Sequence, residues 1–306
     1  MAKVLCVLYD DPINGYPLSY ARDDIPTLQC YPDGQRLPTP EKIDFNPGQL
    51  LGSVSGELGL RRFLEEQGHT FIVTSDKEGP TSQFEKELSD ADIVISQPFW
   101  PAYLTKERIA KAKKLKLAIT AGIGSDHVNL QAAIDNHITV AEVTYCNSIS
   151  VAEHIVMVIL TLARNYLPSY QTVIEKGWHI ADCVTRAYDI EGMTIGLVGA
   201  GRIGLATLKR LKPFDVKLHY TDRYRLPAQT EKELGLTYHA HVDSMVPVCD
   251  VIALCCPLHP ETEHLFNDTL ISKMKRGAYL VNTARGKICD RDAVVKALRL
   301  FPGFRV

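Results

Sequence analysis

Three glycines in one short run, Gly199-Ala-Gly201-Arg-Ile-Gly204, and an aspartate 18 residues beyond the last of them, Asp222, carry the strongest chemical signal in this sequence. Glycine at the first position permits a tight turn. At the second it lets the backbone approach a pyrophosphate, and at the third it lets a helix pack closely on a strand. The helix that follows such a turn points unpaired N–H groups and a partial positive charge at the phosphates. Asp222 can accept hydrogen bonds from ribose hydroxyls and repel a 2′-phosphate, a preference for NAD over NADP. Arg223, directly after it, is a cation that works against that discrimination. A lone G-x-G-x-x-G is a weak signal and also occurs as ordinary turn glycines. Here an apolar strand, Thr194–Val198, precedes it, a helix runs to about Lys212, and a second strand, Lys217–Thr221, delivers the acid, which is the context a dinucleotide site requires.

Other residues could join that site. Arg285 follows a strand-like run, Tyr279–Asn282, and the end of a strand beside a nucleotide fold favours a site role over a surface arginine. Asn147 stands before a long helix and suits a helix cap as well as a ligand donor. His154 reads as a packed or interface residue, and His259 and His264 as loop residues near the cofactor rather than acid–base groups. Cys146 and Cys256 flank the site and are expected to be buried structural thiols. The eight cysteines show no C-x-x-C spacing, so neither a zinc site nor a disulfide framework is indicated, and reduced thiols in a cytoplasmic protein are the economical reading.

The elements that must position these residues alternate. Lys3–Tyr9, Thr70–Thr74, Ile93–Ser96, Lys116–Ala121 and Ile138–Glu142 read as strands buried on both faces. Ser55–Gln67, with Gly68 suited to its end, and Thr105–Lys114, with Thr105 as its cap, read as helices between them. Asp10 to Leu51 breaks the pattern with seven prolines and reads as a long loop. A long helix, Val151–Arg164, begins near Ser150, is capped by Ser148 or Ser150, is closed by Pro168, and crosses into a second βαβ series. Its strands are Thr194–Val198, Lys217–Thr221, Val251–Leu254 and Tyr279–Asn282. The expected fold class is α/β, two Rossmann-like or flavodoxin-like domains with parallel sheets. Net charge of -2 gives no reason to expect nucleic acid or a membrane surface as partner. The longest apolar run, Ile155–Ala163, is too short to span a bilayer, and Met1-Ala2-Lys3 leads straight into a strand rather than a secretory signal.

The chain resembles the NAD-dependent formate dehydrogenases of the D-2-hydroxyacid dehydrogenase superfamily from Ala2 to about Leu298. The resemblance rests on Gln97-Pro-Phe-Trp-Pro-Ala-Tyr103, Thr120-Ala-Gly-Ile-Gly-Ser-Asp-His127, Val143-Thr-Tyr-Cys-Asn-Ser-Ile-Ser-Val-Ala-Glu-His154, Cys256-Pro-Leu-His-Pro-Glu-Thr-Glu-His264 and Asn282-Thr-Ala-Arg-Gly-Lys287. It implies a flavodoxin-like substrate domain over residues 1–147 and an NAD-binding Rossmann domain over 148–306. It assigns Ile123, through its backbone, and Asn147 to formate, Arg285 to formate and nicotinamide, and Phe99 to the pocket wall. Around NAD it places Ser148, Arg202, Ile203, Asp222, Pro257, His259, Glu261, Thr283 and Arg285, beside Gly199, Gly201 and Gly204. It also implies a homodimer with the Val151–Arg164 helix near the interface.

Formate oxidation needs no base, because the anion loses only a hydride to become CO₂. The site has to aim its C–H at nicotinamide C4 from about 3–3.5 Å. A guanidinium and an amide can grip both oxygens while leaving the hydrogen free. The family's Pro-His-x-Ser-Gly motif downstream of Arg285 does not occur here, and Ala297-Leu-Arg-Leu-Phe-Pro-Gly-Phe-Arg-Val306 does not resemble the family's continuation. A shortened C-terminus, a coenzyme sheet lacking its last strand or strands, and impaired turnover are therefore expected. Two other readings share the scaffold. A 2-hydroxyacid dehydrogenase would need a His–carboxylate pair to move a hydroxyl proton. A non-catalytic NAD(H)-binding protein would bind without turnover.

Overall fold

β1 (Lys3–Val7) turns Leu5 and Val7 to one side and Val4 and Cys6 to the other, and all four are buried. Side chains alternate across a sheet, so a strand buried in this way must be covered on both faces. The computed structural model, which describes residues 1–8, 60–98, 100–143, 145–301 and 303–306, repeats that arrangement twice. The chain divides into two units, Met1–Cys146 and Asn147–Val306, each built on its own parallel sheet.

In the first unit β2 (Thr70–Thr74), β3 (Ile93–Ser96), β4 (Leu117–Thr120) and β5 (Thr139–Glu142) join β1 in the order β2-β1-β3-β4-β5. The connecting helices are α1 (Leu60–Glu66), α2 (Gln83–Leu88), α3 (Lys106–Lys111) and α4 (Leu130–Asp135). Phe84 and Leu88 of α2, Ile109 of α3 and Ala133 of α4 pack with Leu5, Val7 and Val94 on one face. Leu60 and Leu64 of α1 lie against Val4, Cys6 and Phe71 on the other. Gly68 closes α1 with φ +79, and Thr105 caps α3 by accepting from Arg108 N at 3.3 Å, both as the residue types suggest. α3 ends before the expected Lys114, because Ala112 leaves helical backbone at ψ 67 and the chain turns toward β4. Tyr9, the proline-rich stretch, residues 55–59 of the expected helix, and Phe99 lie outside the described residues.

The second unit orders its strands β10-β9-β6-β7-β8: β6 (Thr194–Val198), β7 (Lys217–Thr221), β8 (Leu236–His239), β9 (Val251–Leu254) and β10 (Tyr279–Asn282). Its helices are α5 (Ser148–Ala163), α6 (Tyr166–Lys176), α7 (Ile180–Val184), α8 (Arg202–Leu211), α9 (Ala228–Leu234), α10 (Val242–Met245), α11 (Asp268–Ile271) and α12 (Arg291–Leu300). Ile155, Ile159 and Ala163 of α5 and Leu208 and Leu211 of α8 bury Ile195 and Leu197 of β6. Met245, Leu270, Ile271, Ala293 and Ala297 cover Val198, Ile252, Leu254 and Leu280 on the other face. Beyond β10, Arg305 makes a parallel bridge to Tyr279, its carbonyl accepts from Leu280 N at 2.9 Å, and its guanidinium donates to Leu162 O at 2.7 Å.

Two expectations about α5 are corrected. Neither Ser148 nor Ser150 caps it: Asn147 occupies the cap position without a side-chain cap bond, and Ser148 is the first helical residue. Pro168 does not close it either. α5 ends at Ala163, Asn165 takes left-handed backbone at φ 54, and Pro168 sits in the first turn of α6, where a missing N–H leaves no carbonyl unpaired. Among the described residues no single helix is long and apolar enough to cross a membrane, and α5 with α6 reaches that length only through a 59° bend.

Candidate functional site

The strand order places the reversal of the second sheet between β6 and β9, the crevice where open α/β sheets bind ligands at the carboxyl ends of their strands. The turn after β6 is built on glycine. Gly199 has φ +97, its N–H donates to Thr221 O at 2.8 Å, and a Cβ there would lie 2.8 Å from Cys256 N. A Cβ on Gly204 would lie 2.1 Å from Gly199 O, so the first turn of α8 rests directly on the loop. Gly201 caps α8 and is different in kind: nothing lies within 4 Å of the Cβ position. The open side of the loop is therefore the one where a phosphate could approach the N-terminus of α8, with Arg202 and Ile203 next to it.

Asp222, at the end of β7, accepts from Ala200 N at 2.6 Å and from Tyr224 N at 2.9 Å, so the acid braces the glycine loop. Arg223 pairs with Glu261 on the loop after β9. In that loop Thr262 Oγ1 donates to Pro257 O at 2.7 Å and accepts from His259 N at 2.8 Å. Its far end is tied to the loop after β10 by His264 N donating to Lys287 O at 2.8 Å and Phe266 N to Ile288 O at 3.0 Å. The loop after β10 carries Thr283 and the half-buried Arg285, whose Nη1 donates to Ala284 O at 2.9 Å. Gly199, Gly201, Arg202, Ile203, Gly204, Asp222, Pro257, His259, Glu261, Thr283 and Arg285 thus meet at the carboxyl ends of one sheet.

Asn147 and Ser148 open α5, the helix that packs on α8 and β10. Asn147 Oδ1 and Ser148 Oγ are both buried without a hydrogen-bond partner among the described residues. Buried polar atoms are nearly always paired, so this pair calls for a polar ligand. With the open cradle at Gly201, it fits a dinucleotide bound to this unit. Ile123 belongs to the first unit and is half-buried in the turn after β4. There Gly124, at φ +101, donates its N–H to Glu142 Oε2 at 3.1 Å, and a Cβ on Gly122 would meet Pro98 Cγ at 2.7 Å.

Burial pushes the Cys255 thiol up to about 12 and that of Cys256 to about 11, so neither is a thiolate at neutral pH. Cys256 is buried as expected. Cys146 is not: it is exposed on the turn between β5 and α5, because it follows Tyr145, whose left-handed backbone at φ 69 carries the chain out of the sheet. His154, His259 and His264 are all exposed.

Two supporting groups were not singled out from the residues. Asn282 Nδ2 donates to Arg285 O at 2.8 Å while its Oδ1 accepts from Ala284 N at 3.0 Å, folding the loop that presents Arg285. Its position inside Asn-Thr-Ala-Arg-Gly was the available signal, since asparagine commonly bonds to backbone a few residues on. Tyr220 donates to Glu231 Oε1 at 2.6 Å and accepts from Leu226 N at 2.9 Å, bracketing the turn that holds Asp222. Burial and that carboxylate raise its hydroxyl to about 12. Nothing in its spacing announced this role.

Comparison with known proteins adds one family match and three similar proteins. Residues 156–300 match the family described as D-isomer specific 2-hydroxyacid dehydrogenase, NAD binding domain. A formate dehydrogenase of Pseudomonas sp. (strain 101) is 72% identical over 298 residues, 97% of this chain and 74% of that protein. A solved formate dehydrogenase of Granulicella m. superposes with a TM-score of 0.93 at 70% identity, covering 97% of this chain and 79% of the other. The NAD-dependent formate dehydrogenase of Staphylococcus aureus, solved in complex with NAD, gives 0.78 at 38% identity over 99% and 79%.

Proposed function

Since this chain belongs to the NAD-dependent formate dehydrogenases of the D-2-hydroxyacid dehydrogenase superfamily, we propose that it oxidises formate to CO₂ with reduction of NAD⁺ to NADH. Residues 148–306 form the coenzyme domain and residues 1–147 supply the substrate domain. The observation that carries this reading is the convergence of the glycine loop, Asp222 and Arg285 at the carboxyl ends of one parallel sheet.

NAD supplies the hydride acceptor at nicotinamide C4. Gly199, Gly201 and Gly204 shape the phosphate cradle, and Arg202 and Ile203 line it at the start of α8. Asp222 takes the adenosine ribose, while Pro257, His259 and Glu261 flank the adenosine. Ser148, the first residue of α5, and Thr283, just after β10, bind the coenzyme. Arg285 and Asn147 hold the two formate oxygens, and the family resemblance assigns the backbone of Ile123 to the same anion and Phe99 to the wall of its pocket. Such donors fix the anion with its hydrogen free, and no group has to move a proton. When the anion becomes neutral CO₂ the charge-assisted contacts vanish, which favours release.

The protein acts as a homodimer, a reading supported by the apolar side chains that α6 leaves exposed, and it works in the cytoplasm, consistent with free thiols at Cys183, Cys249, Cys255, Cys256 and Cys289. The test is formate-dependent NADH formation, followed by absorbance at saturating NAD. Turnover supports the proposal. Saturable NAD binding without turnover would instead favour a non-catalytic NAD-binding protein.

A further inference from the structure

Two arginines lie on the turn after β7, and both face carboxylates. Arg225 forks onto Glu231 at 2.9 and 2.8 Å and lies over the Tyr238 ring. Arg223 reaches the other way, out of its own turn, and Nη2 donates to Glu261 Oε2 across 38 residues of sequence. That ion pair ties the loop after β7 to the loop after β9, one residue along the chain from Asp222.

A 2′-phosphate on the coenzyme ribose would carry about -1.5 to -2 charges and would need a cation to replace lost water. Arginine is well suited to that, because its planar fork matches phosphate geometry. Arg223 is the residue adjacent to Asp222 that could supply it, and Glu261 occupies its guanidinium while adding a negative charge of its own. We propose that Glu261 is a specificity-determining residue for the coenzyme: by holding Arg223 it withholds the cation a 2′-phosphate requires and keeps the site selective for NAD over NADP. This rests on the reading of Gly199–Asp222 as the coenzyme site, and it adds a second guard to the one that Asp222 provides.

The side chains of the pair are 62% and 68% exposed, so the interaction is screened by salt. Releasing the guanidinium to a phosphate should therefore have a moderate, salt-dependent effect. The experiment is calorimetric titration of the full chain with NAD⁺ and with NADP⁺, for the parent, Glu261→Gln, and the double variant Arg223→Ala/Glu261→Gln. In Glu261→Gln the NADP:NAD affinity ratio should rise about tenfold at low salt, the scale of one charge-assisted hydrogen bond. The rise should shrink at high salt and disappear in the double variant. An unchanged ratio in Glu261→Gln overturns the proposal, as does a rise that survives removal of Arg223. A parent chain with no saturable NAD binding overturns the coenzyme-site reading along with it. Normal NAD binding with an unmoved ratio overturns the selectivity role alone.

Discussion

Gly201 and Gly204 sit three positions apart, and alanine should fail at each for an opposite reason. At Gly204 the added methyl would lie 2.1 Å from Gly199 O and 3.0 Å from Gly199 C, both backbone atoms that cannot step aside. Overpacking typically costs about 1–3 kcal/mol, and a clash this close with backbone sits at the upper end. Gly204→Ala should therefore lower Tm by about 6–12 °C. At Gly201 the same methyl meets nothing within 4 Å, so Gly201→Ala should fold with a loss under about 1 kcal/mol, the scale of a weakened cap. It should still reduce NAD affinity at least about tenfold, because the space it fills is where the pyrophosphate approaches the backbone. Melting curves and NAD titrations on both variants separate the roles, and normal NAD affinity in Gly201→Ala would show that the phosphates lie elsewhere. The close packing at Gly204 was legible from spacing alone, because it is a steric requirement only glycine meets. Cys146 was misread as buried, because its exposure depends on the backbone of Tyr145, which residue type does not announce.

Strands β6, β9 and β10 were legible because each is a short, largely apolar run, a pattern produced by burial on both faces, whereas β7, Lys-Leu-His-Tyr-Thr, was legible from its place directly before Asp222. β8 was missed. It is an edge strand of four residues, Leu-Thr-Tyr-His, none of them fully buried and Thr237 exposed. The same strand hides a feature visible only in the fold: His239 Nε2 lies 2.8 Å from Nδ1 of His219 on β7, and its Nδ1 lies 3.1 Å from Ser244 Oγ. Burial lowers the pKa of His219 below its ordinary 6.5, with His239, Lys275 and Lys217 adding to the effect, and burial lowers that of His239 too. The unfolded chain therefore binds more protons than the folded one on the acid side of 6.5. Stability from this pair is fully present above that pH and is lost as pH falls below it through the lowered values. His219→Asn should flatten the decline in Tm between about pH 7 and pH 5. Parallel curves for parent and variant would show that the pair contributes nothing to acid sensitivity.

At the scale of the whole molecule, the two α/β units were readable from the alternation of elements, whereas the association state came only from family resemblance. The fold adds a physical argument for it. α6 is an 11-residue helix with no buried residue, although it carries Leu167, Tyr170 and Ile174, which are 59%, 54% and 64% exposed. Trp178, just beyond it, is 75% exposed, and Ile180 of α7 is 54% exposed. A helix gains little stability from propensity alone and ordinarily depends on packing an apolar face, which α6 lacks within its own unit. Large apolar patches on a chain mark association surfaces. A second copy covering α6 and α7 would bury these side chains at roughly 25 cal/mol per Å² of apolar area. Sedimentation at micromolar concentration should therefore show a dimer, and Tm should rise with protein concentration. Ile174→Glu and Trp178→Glu, each setting a charge in that contact, should shift the population toward monomer without altering the glycine loop or Asp222. A parent chain that sediments as a monomer with a concentration-independent Tm would remove α6 as a self-association surface, and dissociation without loss of NAD affinity would place the interface apart from the coenzyme cradle.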